Sequence, residues 1–151
     1  MKKIIYRIDT ATEVEISAHL FKCNGNFIPP LSEKVNIKDY ARKLALNSVT
    51  FEAWSHDILA GVVAAYFNDI NNKTGYITNV STLGEFFGQG LGSKLLKMCI
   101  DYGEKNGYRQ IMLEVNSGNE NAIGLYKKNG FGPTTHIGDM IGMKKELSFQ
   151  V

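Results

Sequence analysis

The stretch Phe87-Gly-Gln-Gly-Leu-Gly-Ser-Lys-Leu-Leu-Lys-Met-Cys99 decides the fold. Its three glycines alternate with other residues and lead directly into an amphipathic helical pattern. A run rich in β-branched residues, Gly75–Thr82, comes just before and predicts a strand. Glycines let successive backbone N–H groups turn toward one point, and a helix start adds free N–H groups and a positive dipole end. The stretch therefore predicts a concave site for a phosphate or pyrophosphate.

The spacing of these glycines excludes two common phosphate-binding loops. A Walker A loop needs Gly, four residues and then Gly-Lys-Ser/Thr, whereas here Gly88 is followed by Ser93-Lys94. A dinucleotide fingerprint needs Gly-x-Gly-x-x-Gly, and these glycines are spaced two and two. A tight strand-to-helix turn that binds nothing is the remaining alternative.

The same spacing resembles the acetyl-CoA signature of the GNAT acetyltransferase family, Arg/Gln-x-x-Gly-x-Gly/Ala. Phe87 stands where that family has a polar residue, and Gly90 and Gly92 take the glycine places. The family holds the pyrophosphate mainly with backbone amides, so the missing polar side chain need not abolish binding. The resemblance implies a cofactor-binding loop made of Phe87, Gly88, Gln89, Gly90, Leu91, Gly92 and Ser93.

A second stretch, Leu113–Phe131, resembles the other GNAT signature far more specifically. That signature reads Leu-x-Val, then Asn-x-x-Ala, then Leu-Tyr-x-x-x-Gly-Phe. Six residues fall at the family's spacing: Asn119, Ala122, Leu125, Tyr126, Gly130 and Phe131. Together the two signatures cover roughly the C-terminal half, while the N-terminal half matches only in its order of elements. The resemblance implies an acetyl-CoA-dependent N-acetyltransferase.

The resemblance also implies where the cofactor lies. In the family two parallel strands splay apart, and the exposed amides beside the gap bind the pantetheine arm and polarise the thioester carbonyl. Here the strands end near Thr82 and Val115, and Val80 and Thr82 are the expected contacts on the first. Asn119 is expected to bind the pantetheine arm, with a simple helix cap as the alternative. Lys128 is expected to meet a phosphate, with a solvated lysine as the alternative.

Two residues carry the expected chemistry. Tyr126 is the general acid that protonates the departing thiolate, or otherwise a core aromatic residue of its helix. Glu114 is the base that takes the proton of the amine, or otherwise a surface glutamate on a strand. The Glu, Asn and Tyr spacing resembles GNAT enzymes that acetylate the N-terminus of a ribosomal protein. Glu85 and Asp139 are the reserve bases.

Periodicity and turn residues give the element order, a strand, two helices, three antiparallel strands, a helix, a strand, a helix and two strands. The predicted strands are 3–8, 48–56, 58–68, 75–82, 108–115, 131–137 and 141–149. An imperfect apolar stripe places Val14, Ile16, Ala18, Leu20 and Phe21 on the inner face of the first helix. We therefore expect an α/β (α+β) GNAT fold, with a central mixed, mostly antiparallel sheet of six to seven strands and about four helices. A single domain is expected to span residues 1–151.

The composition is that of an ordinary soluble protein, with 44% apolar and 21% charged residues. A net charge of +2 argues against a nucleic-acid surface, and we expect no membrane span and no signal peptide. Cys23 and Cys99 are expected to be buried free thiols, which fits the cytoplasm. The three histidines lack metal-ligand spacing, so no metal is expected.

The identity of the amine that accepts the acetyl group is the feature that the sequence determines least. Prolines make residues 27–31 a loop, which is either a connector or a wall of the acceptor pocket. The region 27–44 is weakly similar to GNAT members encoded with surface-polysaccharide pathways, which suggests an amino-sugar acceptor. Another small amine, a peptide N-terminus, and a CoA-binding module without turnover stay open, as does a homodimer.

Overall fold

The computed structural model describes residues 3–148, which form one seven-stranded sheet flanked by four helices. The strands are β1 Ile5–Ile8, β2 Val49–Ser55, β3 Ile58–Asp69, β4 Thr74–Thr82, β5 Gln110–Asn116, β6 Gly132–Ile137 and β7 Met140–Glu146. The helices are α1 Glu13–Cys23, α2 Ile37–Asn47, α3 Leu91–Lys105 and α4 Glu120–Lys128. The strand order is β1-β2-β3-β4-β5-β7-β6, and all neighbours pair antiparallel except β4 and β5. The predicted fold class is confirmed.

Two cores cover the two faces of the sheet. Helices α3 and α4 lie over one face, with Phe51, Leu95 and Ile111 among its buried residues. Helices α1 and α2 lie over the other face, with Ile16, Leu44 and Val62 among its buried residues. Strand β3 is buried on both faces between Leu59 and Ala65, as its unbroken apolar run predicts for a central strand.

The inner face of α1 differs from the predicted stripe. Val14 is 73% exposed and Phe21 is 53% exposed, so neither belongs to the core. The buried positions are Ile16, His19, Leu20 and Cys23, which follow the helical spacing of three and four residues. His19 therefore occupies a core position that the pattern of apolar residues could not predict, because its side chain is polar.

Several strand ends also differ from the prediction. Strand β7 ends at Glu146 instead of Phe149, and Phe149 lies outside the described residues. Strand β5 begins at Gln110, because the N–H of Tyr108 bonds the Gly103 carbonyl and so belongs to the end of α3. Cys23 and Cys99 are buried and free, as predicted. Within residues 3–148, no helix is long and apolar enough to cross a membrane.

The parallel pair β4 and β5 opens into a fork. The two strands pair from Thr74 and Gln110 only as far as Ile77 and Leu113, although both continue beyond that point. On the other side of β4, Ala65 pairs with Ile77 and Ala64 pairs with Asn79, so Thr78 is an extra residue in the ladder. Such a bulge bends its strand, and here it lies where β4 leaves β5.

Candidate active site

The fork opens into a cavity of about 1110 Å³. Its walls come from β4 and β5, the loop before α3, the starts of α3 and α4, and the segment between α1 and α2. The cavity therefore joins the two stretches that the sequence singled out, which lie far apart along the chain.

The N-terminus of α3 faces this cavity without a side-chain cap. Gly90 is the N-cap in the left-handed region at φ 78°, and Gly88 has the same φ. A Cβ added to either glycine would meet no atom within 4 Å, so the space in front of both is open. Free N–H groups at a helix start together with open space fit a bound phosphate or pyrophosphate.

Gly92 is constrained by the packing of α4 against α3. A Cβ at Gly92 would lie 3.0 Å from the Leu125 side chain, so this glycine lets α3 and α4 pack closely. Leu91 is buried while its backbone lines the cavity, and Ser93 lines the cavity with its Oγ accepting a bond from the Asn129 amide at 3.2 Å. Phe87 lines the mouth and is 58% exposed.

Gln89 is the one predicted member of the loop that does not line the cavity. Its side-chain amide turns back toward the Glu85 carbonyl at 3.5 Å. Lys128 lines the cavity at the end of α4, as expected for a residue near a phosphate. The structure thus brings all the predicted cofactor residues except Gln89 to one cavity: Val80, Thr82, Phe87, Gly88, Gly90, Leu91, Gly92, Ser93, Asn119 and Lys128.

Asn119 is placed for both roles that the sequence left open, the helix cap and the binding of the pantetheine arm. Its side-chain oxygen accepts the Ala122 N–H at 3.2 Å and so caps α4. Asn119 also lines the cavity, so it caps α4 and borders the space proposed for the cofactor.

Tyr126 lies on α4, lines the cavity and is 7% exposed. Its ring packs edge-on against Phe131, with 6.1 Å between the ring centroids. Burial raises the pKa of Tyr126 to about 12, so its hydroxyl stays protonated at neutral pH.

Glu114 is an exposed residue of β5 that lines the cavity and has a partner that the sequence analysis missed. The Tyr76 hydroxyl on β4 donates to Glu114 Oε1 at 3.2 Å. Burial, followed by the Glu114 charge and this bond, raises the pKa of Tyr76 to about 12. The sequence alone carried no signal for this partner, because Tyr76 shares a face with Glu114 through the register in which Tyr76 pairs with Met112.

The segment between α1 and α2 forms the opposite wall. Phe27, Ile28, Pro29 and Leu31 give that wall an apolar surface, with Lys34 beside them. The reserve bases Glu85 and Asp139 do not line the cavity. Among the described residues, no group of three or more His, Cys, Asp and Glu side chains is arranged to hold a metal ion.

Comparison with known proteins links this geometry to one family. The profile of the acetyltransferase (GNAT) family matches residues 14–131. The chain is 32% identical over 85 residues to N-alpha-acetyltransferase 30 of Schizosaccharomyces pombe, a match covering 54% of the chain and 56% of that protein. It is 33% identical over 98 residues to N-alpha-acetyltransferase 50 of Danio rerio, covering 64% and 58%. The matches thus span less than two thirds of these relatives.

Solved structures share the whole fold at lower identity. The ribosomal-protein-S18-alanine N-acetyltransferase from Escherichia coli superposes with a TM-score of 0.77 at 22% identity, covering 97% of both chains. The PaiA N-acetyltransferase from Thermoplasma acidophilum, solved in complex with coenzyme A, superposes with a TM-score of 0.74 at 15% identity, covering 95% of this chain and 99% of that one. Because the family profile covers most of the chain and the sheet has the same fold, the chain belongs to the GNAT acetyltransferase family.

Proposed function

We propose that this protein is an acetyl-CoA-dependent N-acetyltransferase that works by direct attack of an amine within a ternary complex. One observation carries the proposal. A single cavity joins an uncapped helix N-terminus, the open edges of two diverging strands, a buried tyrosine and a glutamate. Acetyl transfer to an amine needs a site for the pyrophosphate, donors for the thioester oxygen, and groups that move protons.

The cofactor fits the residues at the α3 end of the cavity. The pyrophosphate would lie against the amides from Gly88 to Ser93, and Lys128 would meet a phosphate. The pantetheine arm would follow the edge of β4 past Val80 and Thr82, where β3 pairs with the other edge of β4 but β5 no longer pairs with this one. Asn119 would bind the same arm from the other side.

Glu114 and Tyr126 act on opposite sides of the transfer. The amine nitrogen attacks the thioester carbonyl carbon, the carbon–sulfur bond breaks, and one amine proton goes to Glu114. The Tyr126 hydroxyl donates to the departing sulfur. Tyr76 holds the Glu114 carboxylate through its hydroxyl and so keeps it at the cavity surface.

A peptide N-terminal amine is the acceptor that the comparisons favour. Both curated relatives named above are N-alpha-acetyltransferases, and the bacterial structural neighbour acts on an alanine of ribosomal protein S18. The apolar wall at Phe27, Ile28 and Leu31 suits an apolar side chain beside that amine. An amino sugar or another small amine is the second acceptor class, since the wall also carries the polar end of Lys34.

Thiol release with a panel of amines tests the function and the acceptor together. The panel contains peptides with Met, Ala or Asp first, N-terminally blocked versions of each, glucosamine and a polyamine. We expect release with the free peptides and none with the blocked ones. Release with glucosamine alone would identify the amino-sugar class.

A CoA-binding module without turnover is a second candidate, which Phe87 favours because it replaces a polar residue. Calorimetric CoA binding without thiol release for any amine would support that module and refute the transferase.

A further inference from the structure

A chain of buried and half-buried polar side chains lies under the bulge of β4, on the face covered by α1 and α2. We call it the polar chain, and its members are His19, Tyr40, Thr78, Asn79 and Ser81. Asn79 and Ser81 are buried on this face, although Ile77 just before the bulge packs in the opposite core. A buried polar group costs stability unless it is hydrogen-bonded, so the bonds of this chain matter.

His19 begins the polar chain. Its Nδ1 lies 2.8 Å from the Leu59 carbonyl, which can only accept, so Nδ1 carries the hydrogen. Its Nε2 lies 2.9 Å from Ser81 Oγ and 3.6 Å from Cys23 Sγ. Burial lowers the pKa of His19 to about 4, so the ring is neutral at physiological pH and Nε2 is an acceptor.

Ser81 and Asn79 connect the histidine to the bulge. Ser81 Oγ lies 2.9 Å from Asn79 Oδ1, and its one hydrogen serves either this oxygen or His19 Nε2, so the Asn79 amide N–H groups face away from Ser81. The Asn79 side chain lies beside the Tyr40 hydroxyl and favours its charged form, although burial raises the pKa of Tyr40 on balance. That hydroxyl lies 3.0 Å from the Thr78 carbonyl, to which it donates, and 2.9 Å from Thr78 Oγ1. The polar chain therefore ends on the extra residue of the bulge.

We propose that Tyr40 is a positioning residue for acetyl transfer, because its bond to Thr78 holds the bulge that keeps β4 apart from β5. The bulge lies where the two strands separate, and their separated edges form the cavity. His19, Ser81 and Asn79 support Tyr40 from below. The inference rests on the proposed function. Tyr40 and Thr78 line the cavity themselves, and the role inferred for Tyr40 is to hold β4 in place and not to move a proton.

Tyr40→Phe tests this role because it keeps the ring and removes only the hydroxyl. Tyr66→Phe is the matched control. Tyr66 lies next to Tyr40 on the same face, and within residues 3–148 its buried hydroxyl has no hydrogen-bond partner. We expect the kcat of Tyr40→Phe to fall about tenfold or more, because a small misplacement of the thioester slows the chemical step strongly. The factor should be the same with every acceptor. Tyr66→Phe is expected within twofold of the wild type. Equal kcat values for the two variants, per folded protein, would overturn the proposal.

Hydrogen exchange measured without any substrate tests, separately from activity, whether the bond between Tyr40 and Thr78 holds the bulge. We expect faster exchange at residues 78–82 in Tyr40→Phe and no change in Tyr66→Phe. Unchanged exchange in both variants overturns the positioning role of Tyr40. Faster exchange in Tyr40→Phe, together with no acetyl transfer to any acceptor even by the wild type, overturns only the proposed function. If Tyr40→Phe does not fold, Ser81→Ala and Ser81→Thr decide in its place. The alanine variant should lose kcat, and the threonine variant, which retains a hydroxyl, should keep it.

Discussion

Tyr126 combines a donor role with deep burial, and the two are connected. A thiolate leaving group has an ordinary pKa of about 8.5, well below the value of about 12 that burial gives Tyr126. Burial acts on thiols in this protein as well, since it raises the pKa of Cys23, another residue of the cavity wall, to about 11. The same desolvation would bring the pKa of a departing thiolate closer to that of its donor. A strong hydrogen bond from Tyr126 then stabilises the developing charge.

Removing the Tyr126 hydroxyl should therefore affect chemistry and little else. We expect Tyr126→Phe to lower kcat by about 10²–10⁴-fold, the usual range for general acid–base catalysis, with CoA affinity unchanged. Tyr102→Phe is the control, because Tyr102 packs its ring against Phe51 and Phe67 in the same core but does not line this cavity. Steady-state kinetics and calorimetry give the two values. Normal turnover in Tyr126→Phe would leave positioning alone as the source of rate.

A role of Glu114 as the base should be visible in the pH dependence of turnover. A carboxylate base works at pH values where hydroxide is scarce. We therefore expect Glu114→Gln to lower kcat by about 10²-fold near pH 6 and progressively less at higher pH. Glu85→Gln removes the same charge from a loop residue that does not line the cavity, and its profile should match the wild type. A profile of Glu114→Gln parallel to the wild type would exclude Glu114 as the base.

At the scale of elements, the start and end of α3 offer a matched comparison. Gly90 at its N-terminus and Gly107 just beyond its C-terminus both have φ 78°, and a Cβ at either meets nothing within 4 Å. An alanine at either position should cost about 1–2 kcal/mol of stability, because the left-handed region is strained for residues with a Cβ. Only Gly90 lines the cavity. We therefore expect Gly90→Ala alone to weaken CoA binding, by about tenfold or more, in calorimetry. Equal CoA affinity in the two variants would contradict the pyrophosphate site.

The elements also show which features sequence could predict. Thr12, Asn36 and Asn119 each accept a backbone N–H at a helix start, and side chains of this kind mark the beginning of a helix in a sequence. The bulge at Thr78 left no local signal, because it depends on how β4 pairs with its neighbours. The bond between Tyr76 and Glu114 was missed for the same reason, since strand register is not visible in one sequence.

At the scale of the molecule, the cavity follows from the sheet. The residues that two signatures in the C-terminal half predicted for the cofactor, all but Gln89, line this cavity, because the signatures lie on the elements that border the fork. The end that we propose for the acceptor is lined by α2, the segment before it and the middle of β4, where the sequence offered only a proline-rich loop. That difference is physical, since a backbone phosphate site needs particular glycines whereas an acceptor wall can be made from many side chains.

One buried carboxylate holds the N-terminal part of the molecule together. Glu52 on β2 is fully buried and accepts five hydrogen bonds, from the N–H groups of Thr10 and Ala11 and from the side chains of Thr10, Thr50 and Trp54. These contacts fix the connection between β1 and α1, and thereby the helix that carries His19 and Cys23. Burial by itself would raise the pKa of Glu52, but the hydrogen bonds outweigh it and lower the pKa below its ordinary value.

The sign of that shift predicts how stability changes with pH. A carboxyl whose pKa is lower in the folded state stabilises the fold above its unfolded pKa of about 4.3, and this stabilisation disappears as pH falls through the folded value. Glu52→Gln cannot accept all five bonds and leaves buried N–H groups unpaired, so we expect a loss of about 1–3 kcal/mol or more at pH 7. The loss should shrink as pH falls below about 4, because the wild type then loses the same stabilisation. Urea unfolding between pH 3 and pH 7 measures it, with the exposed Glu33→Gln as a control expected to follow the wild type. A stability difference between Glu52→Gln and the wild type that stays constant over that range would show that the folded and unfolded pKa values of Glu52 are equal.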